Sequence, residues 1–347
     1  MAAASSLKRT LAVMAVVAIG TAVSCTELHV QKPRAFGREK EILVICSDSA
    51  WAAIEPDLRR KVEVEFHAVR WEKVFELAHA NQKDVSYFKE WDKIILVESL
   101  ERKVLLQDVV DEKTMAKVAE SQEGLFFTQP DVWARGQIVV GLASAREADL
   151  PRVVALYGDR IYQSFLKILE QEEAENMYIS GINQQLADSL SKSCGFSITL
   201  PKVYQRVMAD TLPANQWMFV HQDPVRSLVI TRIDHPGPLD LSQTSLAALR
   251  DSLLTPHAYP GMRTLPERVD TSTVTVAGQN RTRVFGVWEN LEQISGGIYV
   301  QQIIDLPDKD RRYILDCLLF CPDSRKNKYR YVCQLDRIMD SFTLTGN

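Results

Sequence analysis

The apolar positions along this chain fall into three regimes, and each predicts a different kind of structure. Leu11 to Val23 is an apolar run of Ala, Val, Ile, Leu and Met behind a short basic start at Lys8 and Arg9. Over residues 41–194, short apolar runs alternate with segments whose apolar residues recur every three or four positions. Over residues 195–347 the strand-like period of two dominates.

In the middle regime Glu41 to Cys46 reads as a strand, Ser47-Asp48-Ser49 as a capped turn, and Ala50 to Arg60 as a helix. Val62, Val64 and Phe66 alternate as a second strand. Trp71 to Ala80 reads as helix, Lys93 to Val97 as strand and Val109 to Ala119 as helix. Ile138 to Leu142 continues the sheet, and Pro151 stands near the start of a long helix carrying Val154, Tyr157, Ile161, Phe165 and Ile168. Strands alternating with helices predict an α/β domain. A helix from Asn183 to Cys194 ends at Gly195, where a left-handed cap costs least, and Phe196 to Leu200 opens a new strand. The domain boundary is placed there.

The last regime predicts strands over Gln216–Val220, Ser227–Ile233, Thr271–Ala277, Arg281–Trp288, Ile298–Asp305 and Arg312–Phe320. Ala277-Gly278-Gln279-Asn280 and the segment from Leu306 to Asp310 read as hairpin turns. One helix carries Leu246, Leu249 and Leu253 and stops before Pro256; another carries Val332, Leu335, Ile338, Met339 and Phe342. The expected class is α+β, a mostly antiparallel sheet with helices on one face.

The N-terminal regime concerns location. A basic start, an apolar run and small residues ahead of Cys25 have the order of a secretory signal. The run is about 13 residues, whereas a membrane-spanning helix takes about 20. Ala22 and Ser24 before Cys25 resemble a bacterial lipobox, in which the thiol is acylated and residues 1–24 are removed. Ala22 stands where lipoboxes prefer Leu, so a plain signal peptide is the rival. The basic residues stop at Arg9 and the run has no polar face, against an organelle transit peptide. Palmitate-type chains on Cys25 contribute about 0.8 kcal/mol per buried CH₂, enough in combination to hold a globular body at a membrane. Thr26, rather than Asp, after the cysteine fits outer-membrane sorting. Residues 25–40 contain Pro33, Gly37 and several charges and read as a tether.

Charge and cysteines narrow the picture. Losing residues 1–24 removes Lys8 and Arg9 and no acid, which takes the formal charge from -4 to -6. Nucleic-acid binders need a basic stripe, so no such partner is expected. With Cys25 acylated, Cys46, Cys194, Cys317, Cys321 and Cys333 remain, an odd set that cannot all pair within the chain. Their pairing stays open except that Cys317 and Cys321, four apart on a strand, stand about 13 Å from each other and cannot bridge. Cys46 reads as a buried small apolar residue.

Candidate chemistry is sparse. The sequence holds no G-x-G-x-x-G, P-loop, H-E-x-x-H or G-x-S-x-G. His29, His67, His79, His221, His235 and His257 are scattered singly, with no metal-ligand spacing, so neither a metal nor a cofactor is expected. Glu170, Glu172, Glu173 and Glu175 read as a solvated face, and Arg325, Lys326, Lys328 and Arg330 as a charged loop before a helix. Asp48 lies in a turn that reads as a helix cap rather than an anion site. The most distinctive stretch is Arg283 to Glu289 followed by Gly296-Gly297-Ile298-Tyr299-Val300. Gly286 inside a strand either admits a ligand or accommodates a Trp from a neighbouring element, the second being the stronger reading. Trp288 and Glu289 at a strand end, beside Gly296 and Gly297, would line a cleft.

Taken in order, several stretches resemble the domain of unknown function 4837 family, predicted lipoproteins of Bacteroidetes. They are the lipobox ending at Cys25, Ile42 to Cys46 leading to Asp48 and Trp51, Gly195-Phe196-Ser197-Ile198 entering Pro201, Gly286-Val287-Trp288-Glu289, Gly296-Gly297, and Cys321-Pro322 through Gln334-Leu335-Asp336. They spread over most of residues 40–343. Val287 stands where such relatives tend to have Leu, and Ile298 where Pro is common. The family has no assigned activity, so the resemblance implies location and architecture and no catalytic residue. The expectation is a non-enzymatic envelope lipoprotein, anchored through Cys25 at the outer membrane. It would bind or scaffold a protein or glycan partner, with Asp48, Trp288, Glu289, Gly296 and Gly297 as binding candidates. The alternative is an envelope hydrolase whose carboxylates, Asp48 and Glu289, meet between the domains.

Overall fold

The structure, a computed structural model, describes residues 32–208 and 210–345. The expected secretory leader, Cys25 and the start of the expected tether lie outside the described residues. Strand β1 (Glu41–Cys46) runs into helix α1 (Asp48–Val62), and the Ser47 hydroxyl accepts the Ala50 N–H at 3.1 Å as the helix cap. The chain then departs from the sequence reading. Val62 closes α1, and the short strand β2 (Glu65–His67) pairs with β3 (Trp71–Lys73). In place of the expected helix over residues 71–80 the chain forms β3 and then β4 (Glu76–Asn81). Leu77, Ala78 and Ala80 are good helix formers. They pair instead in parallel with β1 from Glu41↔Glu76 to Cys46↔Asn81, and that ladder outweighs local preference.

Strand β5 (Lys93–Ser99), helices α2 (Leu106–Val109) and α3 (Glu112–Glu120), strands β6 (Leu125–Pro130) and β7 (Ile138–Ser144) and helix α4 (Leu150–Asn176) complete the first layer. The sheet order is β4-β1-β5-β7-β6, parallel except for the edge strand β6. β6 has only half-buried apolar residues followed by exposed Thr128, Gln129 and Pro130, so it left no apolar run to read. On one face, Ile54 and Leu58 of α1 and Ile161 and Phe165 of α4 pack on Val44, Ile95, Val97 and Leu142. Each such buried side chain contributes about 1.5–3 kcal/mol. Residues 33–40 are not a free tether. The Ala35 N–H donates to the Arg135 carbonyl at 2.9 Å, the Asp92 N–H donates to the Phe36 carbonyl at 2.8 Å, and the Phe36 ring meets Trp91 edge-on.

The second layer opens with helix α5 (Gln184–Cys194), capped by Gly195 at φ 75°, and strand β8 (Phe196–Ser197), shorter than expected. Strands β9 (Gln205–Val207), β10 (Gln216–His221) and β11 (Val225–Asp234) precede helix α6 (Gln243–Leu254). Strands β12 (Met262–Thr264), β13 (Asp270–Val276), β14 (Gln279–Asn290), β15 (Ser295–Leu306) and β16 (Arg311–Phe320) follow, then helix α7 (Lys328–Asp340) and strand β17 (Thr343–Leu344). Antiparallel pairing gives the order β12-β14-β15-β16-β11-β10-β9, with β13 also on β14. Ala277 and Gly278, at φ 50° and 79°, make the tight β13–β14 turn read from the sequence.

Helices cover both faces of this sheet, not one. Val332, Leu335, Ile338 and Met339 of α7 pack with Leu228, Val300 and Leu315; Leu246, Ala247 and Leu254 of α6 pack with Val229, Val284 and Ile314. The physical reason lies in β11, β15 and β16, whose central runs are continuously buried on both faces and so need two covers.

The start of α7 is bonded to the first layer. Asn327 Nδ2 donates to the Val74 carbonyl at 3.0 Å, and Lys328 pairs with Glu72. Arg330 donates through Nε to Glu173 at 2.6 Å and through Nη1 to Glu39 at 2.9 Å. Two sequence readings change accordingly. Glu173, 1% exposed, belongs to a buried seam and not to a solvated face. Lys328 and Arg330 stitch the layers together instead of decorating a loop.

Candidate functional site

On the α6 side of the second sheet a cavity of about 440 Å³ lies at the ends of β10, β11 and β16. The alternation of β10 and β11 brings Met218, Val220, Val225 and Ser227 to it, and the register pairs Val220 with Ser227. Leu318 and Phe320 of β16, Trp288 of β14, and Tyr259 and Met262 after α6 supply the other walls. The lining is mostly apolar, with Ser227, Gln293 and Ser295 as its polar points. That mixture suits recognition of a compact apolar ligand.

Within the cavity Ser227 Oγ and Tyr259 Oη stand 2.8 Å apart. Burial, reinforced by Asp316, pushes the Tyr259 phenol well above its ordinary value. The phenol therefore stays protonated near neutral pH and cannot serve as a base to activate Ser227. Beneath the cavity Arg250, 2% exposed, anchors α6 to the sheet. Its Nε and Nη2 reach the Asp316 carboxylate at 2.7 and 3.2 Å, its Nη1 donates to Thr264 Oγ1 at 3.1 Å, and its guanidinium lies 4.0 Å from the Tyr299 ring centre. A bidentate pair of this kind fixes the floor on which the cavity rests.

Of the glycines singled out in the sequence, Gly297 and Gly286 make room for aromatic rings, and Gly296 for the neighbouring strand's backbone. A Cβ at Gly297 would fall 2.2 Å from the Leu319 carbonyl oxygen and 2.7 Å from Trp288 Cζ2; one at Gly296 would fall 3.1 Å from the Trp288 carbonyl oxygen. The indole so accommodated donates from Nε1 to the Ile298 carbonyl at 3.2 Å and forms a cavity wall. Gly286 makes room for a tyrosine, Tyr299, where the sequence pointed to a tryptophan.

Two other candidates fall elsewhere. Asp48 occupies the first turn of α1, in the first layer, where the neighbouring Ser49 hydroxyl donates to Glu147 at 2.5 Å. Glu289 accepts from Arg263 Nε at 2.6 Å on the β12 edge of the second sheet. Asp48 stands on α1 of the first layer and Glu289 on β14 of the second, and neither lines the Trp288 cavity, so the two carboxylates of the alternative reading are not brought to it. Met218, Val220, Val225, Ser227 and Tyr259 were missed as site residues, although strand parity alone would have grouped the first four. Among the described residues Cys46, Cys194, Cys317, Cys321 and Cys333 are free thiols, and no cluster of His, Cys, Asp and Glu is placed to hold a metal ion.

The fold is thus a parallel-sheet α/β layer joined to an antiparallel sheet covered by helices on both sides. Residues 183–341 match the family described as Domain of unknown function (DUF4837), and residues 35–178 match a separate one, Domain of unknown function (DUF8532). The resemblance read from the sequence therefore holds for the second layer, while Ile42 to Trp51 fall in the other family's segment. No curated protein matches the chain. Among solved structures it is similar to the Ran-binding protein Mog1p of Saccharomyces cerevisiae, at 11% identity over 43% of this chain and 90% of that one, TM-score 0.31. It is also similar to LpqN of Mycobacterium tuberculosis, described as involved in cell envelope biogenesis, at 12% identity over 44% and 83%, TM-score 0.27. Likenesses this distant carry no argument about function.

Proposed function

We propose that this chain is a non-enzymatic binding protein of the cell envelope, held at the outer membrane by acyl chains on Cys25, and that it takes an apolar ligand in the Trp288 cavity. The observation that carries the reading is the cavity itself, an open, mostly apolar pocket of about 440 Å³ whose Ser227–Tyr259 hydroxyl pair lacks a base. The order of basic start, apolar run and small residues ahead of Cys25 supports the anchor, and no helix among the described residues is long and apolar enough to cross a membrane. Metabolic labelling with palmitate tests the anchor, since Cys25→Ser should abolish incorporation and persistence of the label would remove that half of the reading. The neutral dye N-phenyl-1-naphthylamine tests the cavity. Its fluorescence should rise on binding and the rise should vanish in Ser295→Trp, which fills the rim; an unchanged signal in that variant would place the dye elsewhere and end the assignment.

A further inference from the structure

On the α7 side of the same sheet, a second cavity of about 290 Å³ lies where the end of α4 meets the β10–β11 hairpin and α7. Tyr204, His221, Arg226 and Gln334 form one polar wall of it, and no Asp or Glu lines it. Arg226 is 8% exposed, and both of its acceptors are neutral: Gln334 Oε1 and, at 3.0 Å, Nδ1 of His221. The nearby carboxylate of Glu173 is bonded by Arg330 and by the Gln334 amide, and does not bond Arg226 directly.

Two buried atoms on this wall have no partner at all, Arg226 Nε and the hydroxyl of Tyr204, a residue only 3% exposed. A buried guanidinium without a carboxylate and a buried phenol without an acceptor are each unfavourable, and they stand on one wall. Burial and the Arg226 charge hold His221 below its ordinary value, which keeps its ring neutral. The His221 ring is engaged by Arg226 and by the Pro224 backbone, so Arg226 Nε and the Tyr204 hydroxyl are the donors left to the cavity. Asn176, Ser180 and Tyr331 complete the polar part of the lining, Met177, Pro201, Val203 and Ile338 form its apolar part, and Ile179 stands largely exposed at the same cavity.

We propose that this cavity binds a small amphipathic acid, one carboxylate on an apolar body. The guanidinium edge formed by Nε and Nη2 matches a planar carboxylate, and the Tyr204 hydroxyl adds a third bond. Arg226 has no carboxylate bonded to it, and its planar edge matches a planar carboxylate better than a tetrahedral phosphate. The apolar body would cover Met177, Ile179 and Val203.

Calorimetric titration of the full-length protein with benzoate at neutral pH tests this, with inorganic phosphate in a parallel arm. Benzoate should bind saturably and raise the melting temperature with concentration. Arg226→Gln should abolish the binding. Tyr204→Phe removes a hydroxyl with no partner in the chain, so it should melt like the wild type yet bind about tenfold more weakly. If Arg226→Gln does not fold, Tyr204→Phe decides alone. Absence of benzoate binding, binding unaltered in Tyr204→Phe, or phosphate binding as well as benzoate would each overturn the assignment.

Discussion

Gly286 of β14 stands opposite Tyr299 of β15, and a Cβ at position 286 would fall 2.5 Å from the tyrosine ring. That ring is also the surface against which the Arg250 guanidinium rests. Gly286→Ala should therefore force the ring from its place and cost about 1–3 kcal/mol, measured by urea denaturation. Tyr299→Phe is the control. The Tyr299 hydroxyl is buried without a partner, so its removal should cost nothing.

Arg330 is the charged partner of Glu173, which is almost wholly buried. Arg330→Ala leaves that carboxylate with only the Gln334 amide, and a loss of about 3–5 kcal/mol is expected in the same assay. A loss below about 1 kcal/mol would mean that the seam is solvated in solution.

His221 is displaced downward from its ordinary value of 6.5, first by burial and then by Arg226. A base depressed in the fold binds fewer protons there than in the unfolded chain. Its stabilising contribution is complete above about 6.5 and is lost as pH falls through the folded value. Imidazole nitrogen NMR should give a midpoint below 6.5, and Arg226→Gln should move it upward. A wild-type midpoint above 6.5 would contradict the Arg226–His221 contact.

Burial pushes Cys46 and Cys333 up to about 12, and Cys317 is also raised. In a Cys25→Ser protein at pH 8, a brief iodoacetamide pulse mapped by mass spectrometry should label Cys194, the half-buried thiol on α5, well before these three. Cys46 labelling as fast as Cys194 would show that β1 opens readily.

The sequence made some features legible and hid others, for identifiable reasons. The long helix α4, the cap at Gly195 and most strands of the second sheet follow from period and turn chemistry that act within a few residues. β4 was misread because its pairing with β1 comes from 35 positions away in the chain, as in Glu41↔Glu76. The role of Glu173 was hidden because its partner, Arg330, lies 157 residues on. At the cavity, Trp288 and, behind it, the glycine pair were recognisable as unusual. Met218 and Val225 looked like ordinary strand residues, and Arg226, a charge inside an apolar strand, was the signal left unread.

The Asn327 and Arg330 contacts tie the last helix of the chain to its opening segment, across the point where the two family matches meet. What sequence comparison divides, physical cohesion keeps whole: severing the backbone between residues 178 and 183 would strip each piece of its counterpart's ions and greasy cover. Neither half would be a self-sufficient globule, and the two expressed as separate polypeptides should find each other and reconstitute a single melting unit.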